Sequence, residues 1–249
     1  MTTRPSPARR LALITGGSAG LGRALCERWT AAGFQVVEFS RSAPHPYSVR
    51  TDLSAPQAAV SIIARALRPL ADQAWDEVVA VANAGGLAPI GPASRQDPTE
   101  VLAHTGANFD SAIAFLSQVV AHFQDHPGRK PVAYISSGAA LRPIPGWSLY
   151  GAAKAGLEHF VRTLAEEQSR EAHPFLPVNV DPGVMDTAMQ AAIRAADPSD
   201  FPDVARYVQR HEAGELRDPA AVAGAVLRIL GLPGLQAGAR YAVADHLDR

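Results

Sequence analysis

The 249-residue sequence contains one cysteine, almost no net charge and no long apolar run. The lone Cys26 excludes a disulfide bond within the chain and fits a reducing compartment, so we expect a cytoplasmic protein. A formal net charge of −1 provides no basic field for a nucleic acid. No apolar run approaches the ~20 residues that span a bilayer. We therefore expect neither a nucleic-acid partner nor a membrane segment.

Residues 1–10 form a short basic segment that leads directly into the first apolar run. Because this segment has no apolar core, it does not resemble a signal peptide, and we expect a disordered arm. The rest of the chain, residues 11–249, suits one large domain better than two small ones. A hydrophobic content of 47% and a charged content of 19% are usual for a globular protein.

Strand-like and helix-like segments alternate along the chain, which predicts parallel strands joined by crossover helices. Apolar runs predict strands at 11–15, 34–39, 78–82, 132–136, 175–180 and 240–243. Helices are predicted at 21–32, 56–70, 148–169 and 219–230, with one or two more within 99–123. Residues 185–216, which include Pro198 and Pro202, are predicted to be irregular. The expected fold is α/β, a Rossmann-type doubly wound parallel sheet in a single domain, with ligand at the carboxyl ends of the strands.

A glycine-rich loop follows the first predicted strand and reads Thr15-Gly16-Gly17-Ser18-Ala19-Gly20-Leu21-Gly22. Glycines let the backbone approach a pyrophosphate, and the helix that follows supplies N–H groups at its N-terminus. The spacing differs from the commoner G-x-G-x-x-G pattern. A Walker loop is excluded, because Arg23-Ala24 stands where Lys and Ser or Thr are required. The loop alone leaves a simple packing role as the alternative.

Tyr150 and Lys154 lie four residues apart in a predicted helix, so their side chains share one face. An unperturbed tyrosine has a pKa of about 10, and a nearby ammonium group favours its phenolate form. Ser137 lies thirteen residues before the tyrosine. Combined with the glycine loop, this pair predicts a nicotinamide dinucleotide and hydride transfer to or from a carbonyl or alcohol. An exposed helix pair is the structural alternative.

These motifs, in this order, resemble the short-chain dehydrogenase/reductases. The resemblance rests on the 15–22 loop, Asp52-Leu53, Asn83-Ala84-Gly85, Asn108, Ser137, Tyr150 with Lys154, and Pro182-Gly183 with Thr187. It implies that Tyr150 donates a proton, that Lys154 also holds the nicotinamide ribose, and that Ser137 binds the substrate oxygen. Ser136 is the alternative to Ser137. Asn108 is expected to hold a proton-relaying water, with a helix kink or cap as the alternative.

The resemblance also implies the cofactor site. Asp52 and Leu53 would border the adenine, and the segment 182–187 would hold the nicotinamide end. The expected cofactor-binding residues are Gly16, Ser18, Gly20, Leu21, Gly22, Ser40, Arg41, Asp52, Leu53, Asn83, Ala84, Gly85, Tyr150, Lys154, Pro182, Gly183, Val184 and Thr187.

The end of the second predicted strand reads Glu38-Phe39-Ser40-Arg41-Ser42. A NAD site usually places an acid there for the ribose 2′-hydroxyl, whereas an NADP site supplies Arg. The family pattern puts Ser40 at the discriminating position and Arg41 after it, and a guanidinium suits a phosphate. We therefore expect NADP(H). A register slip of two residues would instead make Glu38 a NAD-type acid.

Within the family, residues 145–150, 181–190 and 238–241 resemble the branch of sepiapterin and benzil reductases. Sepiapterin reductases carry an acidic residue that anchors the pterin, and in this sequence Ala242 aligns with that residue, with Asp245 three residues beyond. The absence of an acid at the aligned position favours an aromatic or α-dicarbonyl substrate over a pterin. Ser137, Trp147 and Met185 are the expected substrate residues. Leu87, Leu141, Ile144 and Met189 are further pocket candidates, and 185–216 is a candidate lid. Core or subunit packing is the alternative for Trp147.

His122 and His126 have a spacing that suits a metal, but no Glu follows His122 and Pro127 ends the predicted helix. We expect a solvated helix end and no metal. The family resemblance implies a homodimer or homotetramer assembled through the helices at 108–123 and 148–169.

The expected function is an NADP(H)-dependent oxidoreductase that reduces a small ketone or α-dicarbonyl, similar to benzil or sepiapterin, to an alcohol. One alternative is a NAD-dependent alcohol or hydroxysteroid dehydrogenase. The other is a non-catalytic NADP-sensing module, against which the complete set Ser137, Tyr150 and Lys154 argues.

Overall fold

The computed structural model describes residues 8–247, so residues 1–7 of the predicted arm lie outside the described residues. This part of the chain forms a seven-stranded parallel sheet in the order β3-β2-β1-β4-β5-β6-β7. The strands are β1 (Arg10–Thr15), β2 (Gln35–Ser40), β3 (Ser48–Arg50), β4 (Glu77–Ala82), β5 (Pro131–Ile135), β6 (Leu176–Asp181) and β7 (Arg240–Ala242).

Helices cover both faces of this sheet. They are α1 (Gly20–Ala31), α2 (Pro56–Ala71), α3 (Pro98–Thr105), α4 (Ser111–Phe123), α5 (Ser148–Gln168), α6 (Ala188–Arg194), α7 (Val204–Glu212) and α8 (Pro219–Leu230). Strand side chains alternate between the faces: Leu11 and Leu13 pack against α2, α4 and α5, whereas Ala12 and Ile14 pack against α1 and α8. The strands are therefore buried on both sides, which explains their continuous apolar runs and confirms the predicted doubly wound fold.

Four features differ from the sequence-based expectations. The edge strand β3 was not predicted, because three half-buried or exposed residues give no usable pattern. A π-helical turn, Gly106–Asp110, separates α3 from α4. The segment 185–216 contains α6 and α7 rather than being irregular, and a short 3-10 helix, Val243–His246, follows β7. None of the helices within 8–247 is long and apolar enough to cross a membrane.

The strand order places a crevice where the crossovers change direction, between β1 and β4. The register pairs Thr15 with Ala82, the last residues of these two strands. The glycine loop and residues 83–85 therefore leave the sheet side by side. The ends of β5 and β6 follow along the same edge, which brings Ser137 and Asp181 to the carboxyl side of the sheet.

Candidate active site

Gly16 and Gly22 of the loop leave no room for a side chain. Gly16 has a φ of 73°, and a Cβ there would lie 2.8 Å from the Cα of Ala84. A Cβ on Gly22 would lie 2.1 Å from the carbonyl oxygen of Gly16. The loop is thus packed directly against the end of β4, in a conformation that only glycine adopts easily.

The loop ends in a helix N-terminus that suits a phosphate. Gly20, Leu21 and Gly22 are the first residues of α1, and the capping residue Ala19 supplies no side-chain acceptor for their N–H groups. The first N–H groups of a helix need an acceptor and carry partial positive charge. A dinucleotide pyrophosphate meets both conditions, so this element fits the expected cofactor.

Asn83 ties the two cofactor segments together. Its amide nitrogen donates to the carbonyl oxygens of Thr15 and Gly16 at 3.2 and 2.9 Å. The Thr15 hydroxyl accepts from the backbone nitrogens of Asn83 and Ala84. Across the crevice, a Cβ on Gly20 would lie 3.4 Å from the methyl group of Thr187. The predicted pyrophosphate and nicotinamide segments therefore face each other.

Glu38 points beneath the glycine loop. The side chain is fully buried, and its carboxylate accepts from the Gly17 backbone nitrogen at 2.9 Å and from the Ser48 hydroxyl at 2.5 Å. Both carboxylate oxygens therefore have partners within the protein, and Glu38 supports the glycine loop from below.

Ser40 and Arg41 lie at the end of β2, where the sequence places cofactor discrimination. The Ser40 hydroxyl accepts from the backbone nitrogen of Ala43 at 3.2 Å, and Arg41 is exposed. Hydrogen bonds from Ser54 hold the pKa of Asp52 below its usual range, and the charge of Arg41 adds to this effect. Arg41 therefore lies within electrostatic reach of the predicted adenine-binding segment.

Tyr150 and Lys154 are buried on one face of α5. The lysine Nζ lies 5.4 Å from the Tyr150 ring centre and donates to the Ile135 carbonyl oxygen at 2.7 Å. Burial lowers the pKa of Lys154 to about 7. Burial also raises the pKa of Tyr150 to about 12, against the opposing effect of a hydrogen bond with the Ser137 hydroxyl. Near neutral pH the phenol thus keeps its proton, while the ammonium is poised to lose one.

Asn108 lies in the π-helical turn and faces the same point as Lys154. Its side chain accepts from the Gly86 backbone nitrogen at 2.8 Å and donates to the His104 carbonyl oxygen at 3.0 Å. A Cβ on Gly85 would lie 3.0 Å from Asn108 Oδ1 and 3.8 Å from Lys154 Nζ. π turns are often found at functional sites, and this one directs a helical side chain towards the end of β4.

Arg240 supports the serine segment from β7, a role that the sequence did not indicate. Its guanidinium donates to Glu158 at 2.8 Å, to Asp181 at 3.0 Å and to the Ser137 carbonyl oxygen at 3.2 Å. Glu158 also accepts from the Ser136 hydroxyl at 2.5 Å. Ser136 is therefore engaged in this buried network, whereas the Ser137 hydroxyl remains beside Tyr150.

A cavity of about 210 Å³ opens beside Ser137. Its walls are Ser137, Gly138, Ala139, Arg142, Pro143, Ile144, Trp147, Asp181, Gly183, Val184, Asp203, Arg206, Tyr207 and Arg210. The expected substrate residues Ser137 and Trp147 are both present, as are the pocket candidate Ile144 and the cofactor candidates Gly183 and Val184. Of the described residues, neither Ala242 nor Asp245 lines it.

Met185 does not line this cavity, contrary to expectation. It packs against the hydrophobic core beneath α1 and α8 and forms a bridge with Arg217. Leu87 and Met189 pack in the apolar cluster around Trp147, while Leu141 is 63% exposed and lines a neighbouring depression. The position of Met185 after a cofactor segment was a poor guide, because the chain turns towards the core there.

The contributions of α7 and of Phe201, which lies just before it, were not predicted from the sequence. Phe201 stacks on Trp147 with ring centres 4.8 Å apart, and Tyr207 lies 5.6 Å from the same ring. The spacing of Val204, Tyr207 and Val208 is the apolar pattern of an amphipathic helix, so the signal was present in the sequence. A lid function for 185–216 stays a prediction.

The two histidines considered as metal ligands have separate partners. His122 Nδ1 contacts the Gln118 carbonyl oxygen and His126 Nε2 contacts that of Gln73, each at 2.8 Å. Within 8–247 no group of three or more His, Cys, Asp or Glu side chains is placed to hold a metal ion.

Known proteins provide close parallels. The chain is 32% identical over 242 residues to benzil reductase ((S)-benzoin forming) of Bacillus subtilis (strain 168), covering 95% of this chain and 99% of that protein. It is 30% identical over 258 residues to sepiapterin reductase of Meriones unguiculatus, covering 94% and 96%. The crystal structure of a short chain dehydrogenases/reductase from Saccharomyces cerevisiae superposes with a TM-score of 0.80 at 23% identity, covering 96% and 100%.

A family model described as short chain dehydrogenase matches residues 10–198, a span that contains the glycine loop, Ser137, Tyr150 and Lys154. Given this match and the relatives above, the chain belongs to the short-chain dehydrogenase/reductase family of oxidoreductases.

Proposed function

We propose that the protein is an NADP(H)-dependent carbonyl reductase that converts a small ketone or α-dicarbonyl into an alcohol. The observation that carries this proposal is that the buried Tyr150 and Lys154 lie with the partly buried Ser137 beside a cavity with an aromatic wall. Reduction of benzil by the Bacillus relative, as its name states, supports an α-dicarbonyl substrate. We further propose a cytoplasmic homodimer or homotetramer with no nucleic-acid or membrane partner.

NADP(H) is proposed over NAD(H) because of the residues around the end of β2. Glu38 is fully buried with both carboxylate oxygens hydrogen-bonded inside the protein. The exposed Arg41 is then the charged side chain best placed for a 2′-phosphate, to which a guanidinium binds strongly.

The nicotinamide, when bound, supplies the hydride. The chain supplies the proton and stabilises the oxygen on which negative charge develops. The Ser137 hydroxyl donates to the substrate oxygen, and the Tyr150 phenol transfers its proton to that oxygen. Burial keeps this phenol protonated near neutral pH. The Lys154 ammonium stabilises the phenolate that remains, and in this proposal Asn108, which lies near the same point as Lys154, holds a water that returns a proton.

Arg41→Asp tests the cofactor assignment. Loss of a guanidinium–phosphate contact at an exposed position should weaken NADPH binding by at least about tenfold and leave NADH binding equal or stronger. Arg65→Asp makes the same charge change on the exposed surface of α2 and is the control. An unchanged ratio of NADPH to NADH affinity in Arg41→Asp would contradict the assignment.

The reaction itself is tested with purified protein and NADPH against benzil, diacetyl, sepiapterin and an aromatic monoketone, followed by absorbance at 340 nm. Turnover of at least one dicarbonyl with NADPH preferred over NADH is expected. Tight NADPH binding without turnover of any member of the panel would favour the sensing module instead.

A further inference from the structure

The cavity beside the proposed catalytic group has an unusually basic wall. Arg142, Arg206 and Arg210 all line it, with two carboxylates, Asp181 and Asp203. Asp181 is already paired with Arg240 at 3.0 Å, which leaves Asp203 as the main opposing charge among the described lining residues. The balance of charge at the wall is therefore positive.

Arg142 lies close to the serine segment, and all three guanidinium groups lie near Tyr207. Arg142 Nη2 lies 3.1 Å from the position of a Cβ on Gly138, the residue after Ser137. The charges of Arg206, Arg210 and Arg142 each act on Tyr207 to lower the pKa of its phenol, although burial raises that pKa overall. Three positive groups therefore surround the Tyr207 side of the cavity.

Two of these guanidinium groups have no partner of their own. Arg210 contacts Glu215 at 3.8 Å, across an exposed and weak pair. Within 8–247, the guanidinium groups of Arg142 and Arg206 have no hydrogen-bond or ion-pair partner. Guanidinium groups bind carboxylates through paired N–H donors, so this wall is suited to an anionic group of a ligand.

A second part of the cavity wall is apolar and aromatic. Trp147 forms it together with Ile144, and Phe201 stacks behind Trp147. A volume of about 210 Å³ is smaller than the ~300–1,000 Å³ of sites that take drug-sized ligands. A ligand that matches both walls is small, has an aromatic or apolar body, and carries one anionic group near its carbonyl.

We propose that the substrate is a keto acid, whose carboxylate binds Arg142 and Arg206 while its carbonyl oxygen lies at Ser137 and Tyr150. This proposal rests on the carbonyl reduction proposed above. The hydride from the bound nicotinamide adds to the carbonyl carbon, and the Tyr150 proton adds to the oxygen. The products are a hydroxy acid and the oxidised cofactor, and the carboxylate is unchanged.

The test compares benzoylformate with its methyl ester, which presents the same aryl ketone without the charge. We expect the wild-type protein to reduce the acid with the higher kcat/KM. Arg142→Gln and Arg206→Gln should each lower the acid-to-ester ratio of kcat/KM by about tenfold, mainly through the KM of the acid. Raising the salt concentration should lower the wild-type ratio as well. Arg65→Gln, which removes the same charge from α2, should keep the wild-type ratio.

The outcomes separate this proposal from the proposed function. Reduction of benzil or of the ester, with no preference for the acid or with a ratio that the two variants leave unchanged, would overturn the keto acid and leave carbonyl reduction standing. Turnover of neither benzil, the ester nor the acid would overturn both. An equal loss of ratio in Arg65→Gln would show a general effect of net charge and would also overturn the proposed site.

Discussion

Replacing Glu38 with alanine should destabilise the protein without changing which nicotinamide it prefers. The carboxylate is fully buried and accepts from the Gly17 nitrogen and the Ser48 hydroxyl. Hydrogen bonds to a charged group contribute about 1.5–3 kcal/mol each, so losing two of them costs about 3–6 kcal/mol. The alanine variant also leaves the buried Gly17 nitrogen and the partly buried Ser48 hydroxyl without this acceptor.

For a chain of this length, each kcal/mol changes the melting temperature by about 2–4 °C. A loss of about 3 kcal/mol at about 2 °C per kcal/mol lowers the melting temperature by about 6 °C, and a loss of about 6 kcal/mol at about 4 °C per kcal/mol lowers it by about 20 °C or more. Thermal unfolding followed by circular dichroism measures this change. Glu38→Gln should lower the melting temperature less than Glu38→Ala does, because the amide still accepts from the Gly17 nitrogen and can donate to the Ser48 oxygen. Glu171→Ala removes an exposed carboxylate from the surface and should leave the melting temperature within about 2 °C.

The same variants test the alternative assignment of Glu38 as a NAD-type acid. The dissociation constants of NADPH and NADH should change together in Glu38→Gln, because the glycine loop serves both cofactors. An unchanged melting temperature in Glu38→Ala, combined with a selective loss of NADH affinity, would refute the reasoning and place the carboxylate at the ribose.

Other predictions concern ionisable groups. Burial lowers the pKa of Lys154 to about 7, so its ammonium group loses a proton as the pH rises above neutrality. The dissociation constant of NADPH should therefore rise a few-fold between pH 7 and 9. Lys154→Met should abolish this pH dependence. A pH-independent wild-type constant would contradict the lysine's role. Burial, with a smaller effect of Glu38, raises the pKa of the Cys26 thiol to about 12, so iodoacetamide at pH 8 should label it only after unfolding, as mass spectrometry would detect. Labelling of the native protein would show that α1 opens.

Arg240→Met provides a test of the network behind Ser137. This change removes the contacts with Glu158, Asp181 and the Ser137 carbonyl, so kcat should fall. The NADPH dissociation constant should change little, because Arg240 positions the serine segment and does not contact the glycine loop. Recovery of much of the activity in Arg240→Lys would support a positioning role, whereas wild-type kcat in Arg240→Met would contradict it.

The parts of the candidate site that depend on a local sequence motif could be predicted from the sequence. The glycine loop and the Tyr150–Lys154 pair stand out as local motifs in the sequence, and the resemblance to the family implied the role of residues 83–85. Their proximity follows from parallel topology, since the glycine loop and residues 83–85 follow adjacent strands, and Lys154 of α5 donates to the carbonyl oxygen of Ile135, the last residue of β5. The role of Glu38 was harder to predict, because Glu38 and Ser40 lie two residues apart on the same face of a strand, and the sequence alone does not fix which of them lies nearer the cofactor.

Long-range contacts account for what the sequence did not reveal. Arg240 contacts Glu158 across 82 residues, and no local pattern marks such a pair. Arg142 and Arg206 meet at one cavity because α7 folds back over the serine segment. Pro198 and Pro202 led to the prediction of an irregular segment, but both prolines lie in the connection between α6 and α7 and interrupt neither helix.

The most direct test of the central claim is single-turnover oxidation of bound NADPH by benzil, measured with wild-type protein and with Tyr150→Phe. Loss of the phenolic proton donor should slow hydride transfer by about 10²–10⁴-fold while the NADPH dissociation constant changes little. Alcohol formation by the wild-type protein together with this loss would support carbonyl reduction with Tyr150 as the acid. A Tyr150→Phe rate within a few-fold of wild type would contradict it.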